Sequence, residues 1–138
     1  MIPDYPRLNF PAVKLRISQR GEQMTVWDPL RGIYLVLTPE EWVRRHLIGF
    51  LISHCGAQPM RIVQEYAVAM NGSPQRADVV LVECKAAGIR IDRQVLAQAV
   101  RYNSVLGARY VVLTNGLTHY CYECADGRYT RMDRFPRL

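Results

Sequence analysis

The sequence predicts an α/β fold in which helices flank a mixed central sheet. Two segments carry complete helix signals, one beginning at Thr38 and the other at Asp92. Two runs rich in β-branched residues, Asp78–Lys85 and Tyr110–Thr114, have the composition of buried strands. With 138 residues, of which 49% are apolar, the chain is expected to form a single domain, residues 1–138, with its own hydrophobic core.

Residues 1–37 are predicted to form a proline-containing arm followed by a small hairpin. The arm leads into a strand near Lys14–Ile17. Two later segments have strand-like composition and are joined through a turn at Asp28-Pro29; they are Thr25–Trp27 and Tyr34–Leu37.

The first helix is predicted from its ends. Thr38-Pro39-Glu40-Glu41 is a capping box, with the Thr38 hydroxyl at the N-cap, proline at the first helical position and Glu41 three residues on. Gly56 is expected to close the helix. The apolar residues between these ends recur at helical spacing; they include Val43, Leu47, Phe50 and Leu51.

The core is expected to span residues 38–124, and after the first helix it alternates strand and helix signals. A strand is expected over Arg61–Met70, and Asp92 is a plausible N-cap for a second helix that Gly107 ends. Strands at Tyr110–Thr114 and around His119–Glu123 follow, separated by an Asn-Gly turn. The arginine-rich residues 125–138 are interpreted as a loosely held basic tail.

The net charge of +6 comes almost entirely from arginine, since Lys14 and Lys85 are the two lysines. A basic surface favours polyanions such as nucleic acid, although ordinary solubility charge explains the composition equally well. No apolar run reaches the ~18 residues of a membrane span and no signal-peptide pattern begins the chain, so a cytoplasmic protein without membrane contact is expected.

The four cysteines point to reduced thiols. Cys84 is expected on the buried face of its strand, as a small apolar residue. Cys121 and Cys124 form one Cys-x-x-Cys pair, whereas a structural zinc site usually needs two such pairs. Zinc is therefore not expected, and the role of this pair stays open.

The run from Arg76 to Ala86 places an aspartate, a glutamate and a lysine (Asp78, Glu83 and Lys85) inside an apolar strand, where burial is costly unless they are paired or bind metal. Alternate residues of a strand share a face, so Glu83 and Lys85 point the same way. Carboxylate oxygens suit Mg²⁺, which polarises a phosphate and activates water, and a lysine offsets developing negative charge. A solvated strand face with a simple Glu–Lys pair explains the same pattern without catalysis.

Four segments in order resemble the N-terminal domain of type I restriction enzyme R subunits, in particular its short stand-alone bacterial form. The resemblance covers about residues 9–121. Its motifs are TPEEWVRR at Thr38–Arg45, the Arg76–Asp78 and LVECKA (Leu81–Ala86) pair, QAVRY at Gln98–Tyr102 and LTNGLTHYC at Leu113–Cys121.

The resemblance implies a PD-(D/E)XK restriction-endonuclease-like fold and DNA cleavage that depends on Mg²⁺ or Mn²⁺. It assigns Asp78 and Glu83 as metal ligands and Lys85 as the catalytic lysine. DNA, other restriction-system subunits and a second copy of the chain in a homodimer are the implied partners.

Further site residues follow from the same resemblance. Gln98 and Tyr102 match a Gln-x-x-x-Tyr element of these nucleases, and i and i+4 share a helix face. A core aromatic and a buried amide are the equally weighted alternative for this pair. A first-helix glutamate often reaches the metal, which suggests Glu41, although its capping role already explains it; Glu65 is a rival.

One departure from the family pattern affects the metal site. In the family, the aspartate and the Glu-x-Lys lie on adjacent strands joined by a turn, whereas here only four residues separate Asp78 from Glu83. In one continuous strand, the Cα atoms would be roughly 16 Å apart and the side chains would face opposite ways, beyond the reach of a single ion. Because no turn residue separates the two halves, a hairpin loop omitted from the sequence is the favoured interpretation; a chain that truly lacks it is the other.

Three functions are therefore in competition. The first is a metal-dependent DNA endonuclease acting in restriction. The second and third are catalytically inactive modules of the same fold, one binding nucleic acid through its arginines and one binding a protein partner. DNA specificity and oligomeric state do not follow from the sequence.

Overall fold

The computed structural model describes residues 5–64 and 79–138, and this part of the chain forms a mixed α/β structure with two sheets. The smaller sheet is antiparallel, in the order β1-β2-β3. Its strands are β1 Ile17–Arg20, β2 Gln23–Asp28 and β3 Ile33–Val36. Strand β1 thus begins at Ile17, the last residue of the segment predicted as a strand. The predicted hairpin forms the other two strands of this sheet.

The larger sheet is mixed, as predicted, and has the order β4-β5-β6-β7-β8. The first three strands are parallel and the last two antiparallel to their neighbours. Both faces of β5 are covered, which accounts for its continuous apolar run. The strands are β4 Ile62–Gln64, β5 Val80–Cys84, β6 Tyr110–Thr114, β7 His119–Ala125 and β8 Arg128–Met132.

The prediction of a loosely held end after residue 124 is wrong. Strand β8 pairs with β7 through a two-residue turn, in which Asp126 and Gly127 both have positive φ. Asp-Gly is a preferred sequence for such a turn, so the signal was present. The Leu138 N–H also donates to the Cys55 carbonyl (2.7 Å), which attaches this end to the first helix.

The helices confirm the capping predictions. Helix α1, Pro39–His54, begins with the Thr38 hydroxyl accepting from the Glu41 N–H (3.1 Å). Helix α2, Arg93–Leu106, begins with the Asp92 carboxylate accepting from two N–H groups and ends at Gly107 in the left-handed conformation. A single 3₁₀ turn, Pro59–Arg61, leads into β4. No helix in the described part of the chain combines the length and apolar character needed to cross a membrane.

The helices lie on opposite faces of the larger sheet. Val80, Val82 and Cys84 of β5 pack with the apolar side chains of α1. Leu81, with Val79 before the strand, packs instead with α2. This alternation fixes which way each β5 side chain points.

The chain runs from Val79 to Cys84 as one extended segment. All five residues of β5 pair in register with β6, and the Tyr110 N–H donates to the Val79 carbonyl (3.2 Å). No turn interrupts Val79–Cys84, and the interpretation that a hairpin loop is omitted between Asp78 and Glu83 stays a prediction. Asp78 itself lies outside the described residues, as does Glu65.

The N-terminal arm is held against the turn between β6 and β7 by a backbone hydrogen bond and by apolar packing. The Asn9 N–H donates to the Gly116 carbonyl (2.7 Å), and Leu8 packs over the same turn. A Cβ on Gly116 would lie 2.6 Å from the Leu8 side chain, and φ is +87° there. The positive φ favours glycine at this position, and any other residue would also have to displace the Leu8 side chain.

Candidate functional site

Glu83 and Lys85 lie on one face at the carboxyl end of β5. The Lys85 N–H donates to the Thr114 carbonyl (2.9 Å), so the extended backbone continues past the strand and the two side chains share the α2 side of the sheet. Lys85 Nζ is 3.9 Å from Glu83 Oε1. The Glu83 side chain is 9% exposed and that of Lys85 29%, so the carboxylate is buried and the ammonium reaches solvent. The predicted shared face is observed.

Gln98 and Tyr102 are half-buried on α2, the helix that covers this same face. The Tyr102 ring packs against the cluster around Leu81 and Val95, and burial raises the pKa of its hydroxyl. The geometry thus gives Tyr102 a packing role, and the catalytic role implied by the resemblance stays a prediction for both residues.

Glu41 lies on the opposite side of the sheet, in α1. Besides capping the helix through its N–H, it forms ion pairs through its carboxylate with Arg44 and with Arg45 Nε, the latter at 3.3 Å. A carboxylate held by two guanidinium groups is a poor candidate for a metal ligand, because metal would have to displace them. The assignment of Glu41 to a metal site remains a prediction that this geometry does not favour.

A buried ion-pair network, which was not predicted from the sequence, connects the two sheets through α1. Arg45 Nη1 lies 2.7 Å from Asp28 Oδ1, and Arg45 also donates to the Gln64 side-chain carbonyl. Gln64 Nε2 in turn donates to Asp28 Oδ2 (3.2 Å). Asp28 was interpreted only as a turn residue. The available signal was a pair of arginines, Arg44 and Arg45, within the apolar stripe of α1.

The network controls the ionisation of Asp28. Burial by itself would raise the pKa of this carboxyl, but the Arg45 guanidinium and the hydrogen bonds from Gln64 and the Leu30 N–H outweigh burial and lower the pKa below its ordinary value. Asp28 is therefore a charged, fully buried group whose partner is Arg45.

A cleft opens on the α2 side of the sheet, directly beside Glu83. Leu113 of β6 is the register partner of Glu83 and of Tyr120 in β7, and it lies at the bottom of the cleft. The cleft has a volume of about 610 Å³ and lies at the start of α2. Its lining residues are Arg90, Ile91, Asp92, Arg93, Gln94, Leu96, Leu113, Tyr120 and Tyr122.

The cleft is basic and aromatic. Arg90 and Arg93 are exposed at its rim, whereas the Asp92 carboxylate accepts the N–H groups of Gln94 and Val95. The Arg131 guanidinium lies 4.8 Å from the centre of the Tyr120 ring. The period-2 spacing of tyrosines in β7 was a signal for this surface, but its use required the β6–β7 register.

The cysteines do not form a chelating pair. Cys121 packs on the α1 side of the sheet, and Cys124 is three residues further along the same strand, on the other face. Burial raises the pKa of the Cys84 thiol to about 12 and that of Cys121 to about 12. Both are thus protonated thiols packed in the core.

The described residues do not complete a Mg²⁺ site. Mg²⁺ takes octahedral oxygen ligands, typically including one or two carboxylates. Glu83 supplies a carboxylate next to Lys85, while Glu41 is held on the other face. Over residues 5–64 and 79–138, no group of three or more His, Cys, Asp or Glu side chains is placed to hold a metal ion. Asp78, the other ligand implied by the resemblance, is outside these ranges.

Comparison with known proteins gives one family match. A family model described as "Type I restriction enzyme R protein N terminus" matches residues 39–136. No curated protein and no solved structure gives a significant match. The match contains α1, α2 and every strand of the larger sheet, and therefore both Glu83 and the cleft.

Proposed function

This chain belongs to the family of type I restriction enzyme R protein N termini, and we propose that it binds DNA through the cleft beside Glu83 and Lys85. Membership of this family indicates a restriction-related role, and restriction components act on DNA or with one another. The observation that carries the proposal is the cleft, which is lined by two arginines and two tyrosines and by Leu113, the register partner of Glu83.

The charge of the cleft suits a phosphate backbone. The Arg90 and Arg93 side chains are exposed, so their guanidinium groups can approach phosphate oxygens in bidentate geometry. Asp92 between them is occupied with helix capping. Lys85, 29% exposed at the end of β5, adds a further cation on the same side of the sheet. Contacts of this kind supply most of the affinity of non-specific DNA binding.

Metal-dependent DNA cleavage on a PD-(D/E)XK fold is the second candidate. The observation that favours it is the pair of Glu83 and Lys85 on one face, with Gln98 and Tyr102 on the helix that covers that face. Because the described carboxylates do not fit a complete metal site, we assign no catalytic step to these residues. A chain that truly lacks the hairpin between Asp78 and Glu83 would be a binding domain without cleavage, whereas a hairpin omitted from the sequence would favour the nuclease.

Binding through the cleft predicts a metal-independent and salt-sensitive interaction. With a fluorescently labelled DNA duplex in EDTA, replacing both cleft arginines (Arg90→Gln with Arg93→Gln) should weaken binding about tenfold or more at low salt. The slope of log K against log salt should fall by about 1.8, since each lost phosphate contact accounts for about 0.9. Fluorescence anisotropy at several salt concentrations measures both quantities.

The matched control removes the same charge elsewhere, at two other exposed arginines (Arg128→Gln with Arg137→Gln). Equal losses in the two double variants, or no binding by the parent, would contradict a cleft-directed interface. Cleavage is tested on supercoiled plasmid with Mg²⁺ or Mn²⁺. Nicking by the parent that Lys85→Ala abolishes, with duplex binding retained, would establish the second candidate instead.

A further inference from the structure

The smaller sheet carries a second surface with a different chemistry. Val26 and Asp28 of β2 are buried, so Trp27 between them lies on the opposite face of the sheet. Trp27 is the register partner of Tyr34 in β3, and their ring centroids are 5.0 Å apart at an edge-to-face angle of 62°. Both rings are half-buried, so each keeps part of its surface in solvent.

Two exposed arginines lie over these rings. The Arg16 guanidinium is 5.1 Å from the centre of Trp27 and 5.8 Å from that of Tyr34. The Arg20 guanidinium is 5.8 Å from the centre of Tyr34. We call Arg16, Arg20, Trp27 and Tyr34 the aromatic–arginine face.

The surroundings of this face leave it positively charged and partly apolar. Asp28 is turned to the other face, where Arg45 holds it, and Glu22 lies in the turn that follows Arg20. Val36, two residues after Tyr34 on the same face, is 47% exposed. A ligand for such a surface must combine negative charge with flat apolar groups.

We propose that the aromatic–arginine face binds single-stranded nucleic acid. Trp27 and Tyr34 offer planes on which unpaired bases stack, and Arg16 and Arg20 lie within reach of the linking phosphates. In a duplex the bases are stacked on one another, so a duplex can contact the two arginines through its phosphates but cannot stack bases on the two aromatic rings. Single-stranded DNA is therefore the occupant that uses all four side chains.

This face is distinct from the cleft. The smaller sheet is joined to α1 through the Asp28–Arg45 ion pair, whereas the cleft lies under α2 on the opposite side of the larger sheet. Binding of single strands at this face is therefore a separate property from duplex binding at the cleft, and each can be tested without the other.

The fluorescence of Trp27 provides a direct test. Trp42→Phe leaves Trp27 as the single tryptophan, because the chain has two. Titration with oligothymidylate at low salt should quench its emission, since a stacked base contacts the indole. Where Trp42→Phe impairs folding, anisotropy of a labelled oligonucleotide in the parent background measures the same binding.

Removing the two arginines of the face (Arg16→Gln with Arg20→Gln) should weaken oligothymidylate binding about tenfold or more and lower the salt slope by about 1.4, at about 0.7 per contact with a single strand. Tyr34→Ala should weaken binding by a similar factor with the salt slope unchanged. The control pair Arg128→Gln with Arg137→Gln should leave the affinity close to that of the parent.

Three results would overturn the inference. The first is oligothymidylate binding that leaves the emission of Trp27 unchanged. The second is an equal loss of oligothymidylate affinity in the Arg16→Gln/Arg20→Gln variant and in the control variant. The third is oligothymidylate binding that is lost in the Arg90→Gln/Arg93→Gln variant but kept in the Arg16→Gln/Arg20→Gln variant. The last result would assign single strands to the cleft. Normal duplex binding by the Arg16→Gln/Arg20→Gln variant would show that the two surfaces act independently.

Discussion

Replacing Arg45 by methionine is expected to lower the free energy of unfolding by about 3–5 kcal/mol, because it leaves the Asp28 carboxylate buried without its cation. Asp28 is fully buried, and Gln64 also loses the guanidinium to which its carbonyl is bound. Methionine keeps the unbranched apolar part of the side chain, so the loss reports chiefly on the missing guanidinium group. Urea denaturation at pH 7 measures it.

The control for this prediction is Arg31→Met. Arg31 also pairs with Asp28, at 3.5 Å, but its side chain is 44% exposed, so its removal should cost less than about 1 kcal/mol. If Arg31→Met and Arg45→Met lowered the free energy of unfolding by similar amounts, the buried Asp28–Arg45 pair would not be the main source of stability in this network. A double variant in which Asp28 is also made neutral (Asp28→Asn with Arg45→Met) should recover part of the loss, since the unpaired charge is gone.

The same network makes the free energy of unfolding depend on pH in the acid range, because Asp28 must be ionised to pair with Arg45. The folded-state pKa of Asp28 is lowered, so its contribution is fully present above the unfolded value of about 3.8 and is lost as the pH falls through the lower folded value. The difference in unfolding free energy between the parent and Asp28→Asn should therefore be constant from pH 7 to about 5 and shrink below about pH 4. A difference that is unchanged at low pH would exclude this linkage.

Replacing Asn103 by alanine is expected to lower the free energy of unfolding by about 2–3 kcal/mol. Its side chain, 2% exposed, closes the connection from α2 to β6: the Asn103 carbonyl accepts from the Ala108 N–H (2.7 Å), and its amide donates to the Ala108 carbonyl (3.0 Å). Ala108 is itself buried, so both backbone groups would lose their partners without gaining water.

Tyr129→Phe is the matched test for this second prediction. The Asn103 amide also donates to the Tyr129 hydroxyl (3.1 Å), so this variant removes that hydrogen bond and leaves both bonds to Ala108 intact. A loss of about 1 kcal/mol is expected. If thermal and urea unfolding gave Tyr129→Phe the larger effect, the backbone of Ala108 would not be the decisive partner.

The parts of the candidate site that depend on local chain geometry were predictable from the sequence. Glu83 and Lys85 share a face because strand residues alternate, and this holds whatever the neighbouring strands are. The caps at Thr38 and Asp92 are likewise local, since each side chain bonds to N–H groups two or three residues away.

The cleft was not predictable in the same way. It exists because the Leu113 position aligns with Glu83 on one side and with Tyr120 on the other, and because α2 starts above that row. Strand register of this kind is set by packing between distant segments. The arginines at the rim were visible in the sequence only as part of an overall positive charge.

The sequence by itself determined the family, the two capped helices, the buried strands β5 and β6, and the shared orientation of Glu83 and Lys85. Each follows from short-range periodicity or from several motifs in order. Only the tertiary structure decided that β5 is unbroken and that Asp28, Arg45 and Gln64 form one buried network. The physical reason is that such contacts join residues up to 36 positions apart, where the free energy of burial and pairing, rather than local backbone preference, selects the partner.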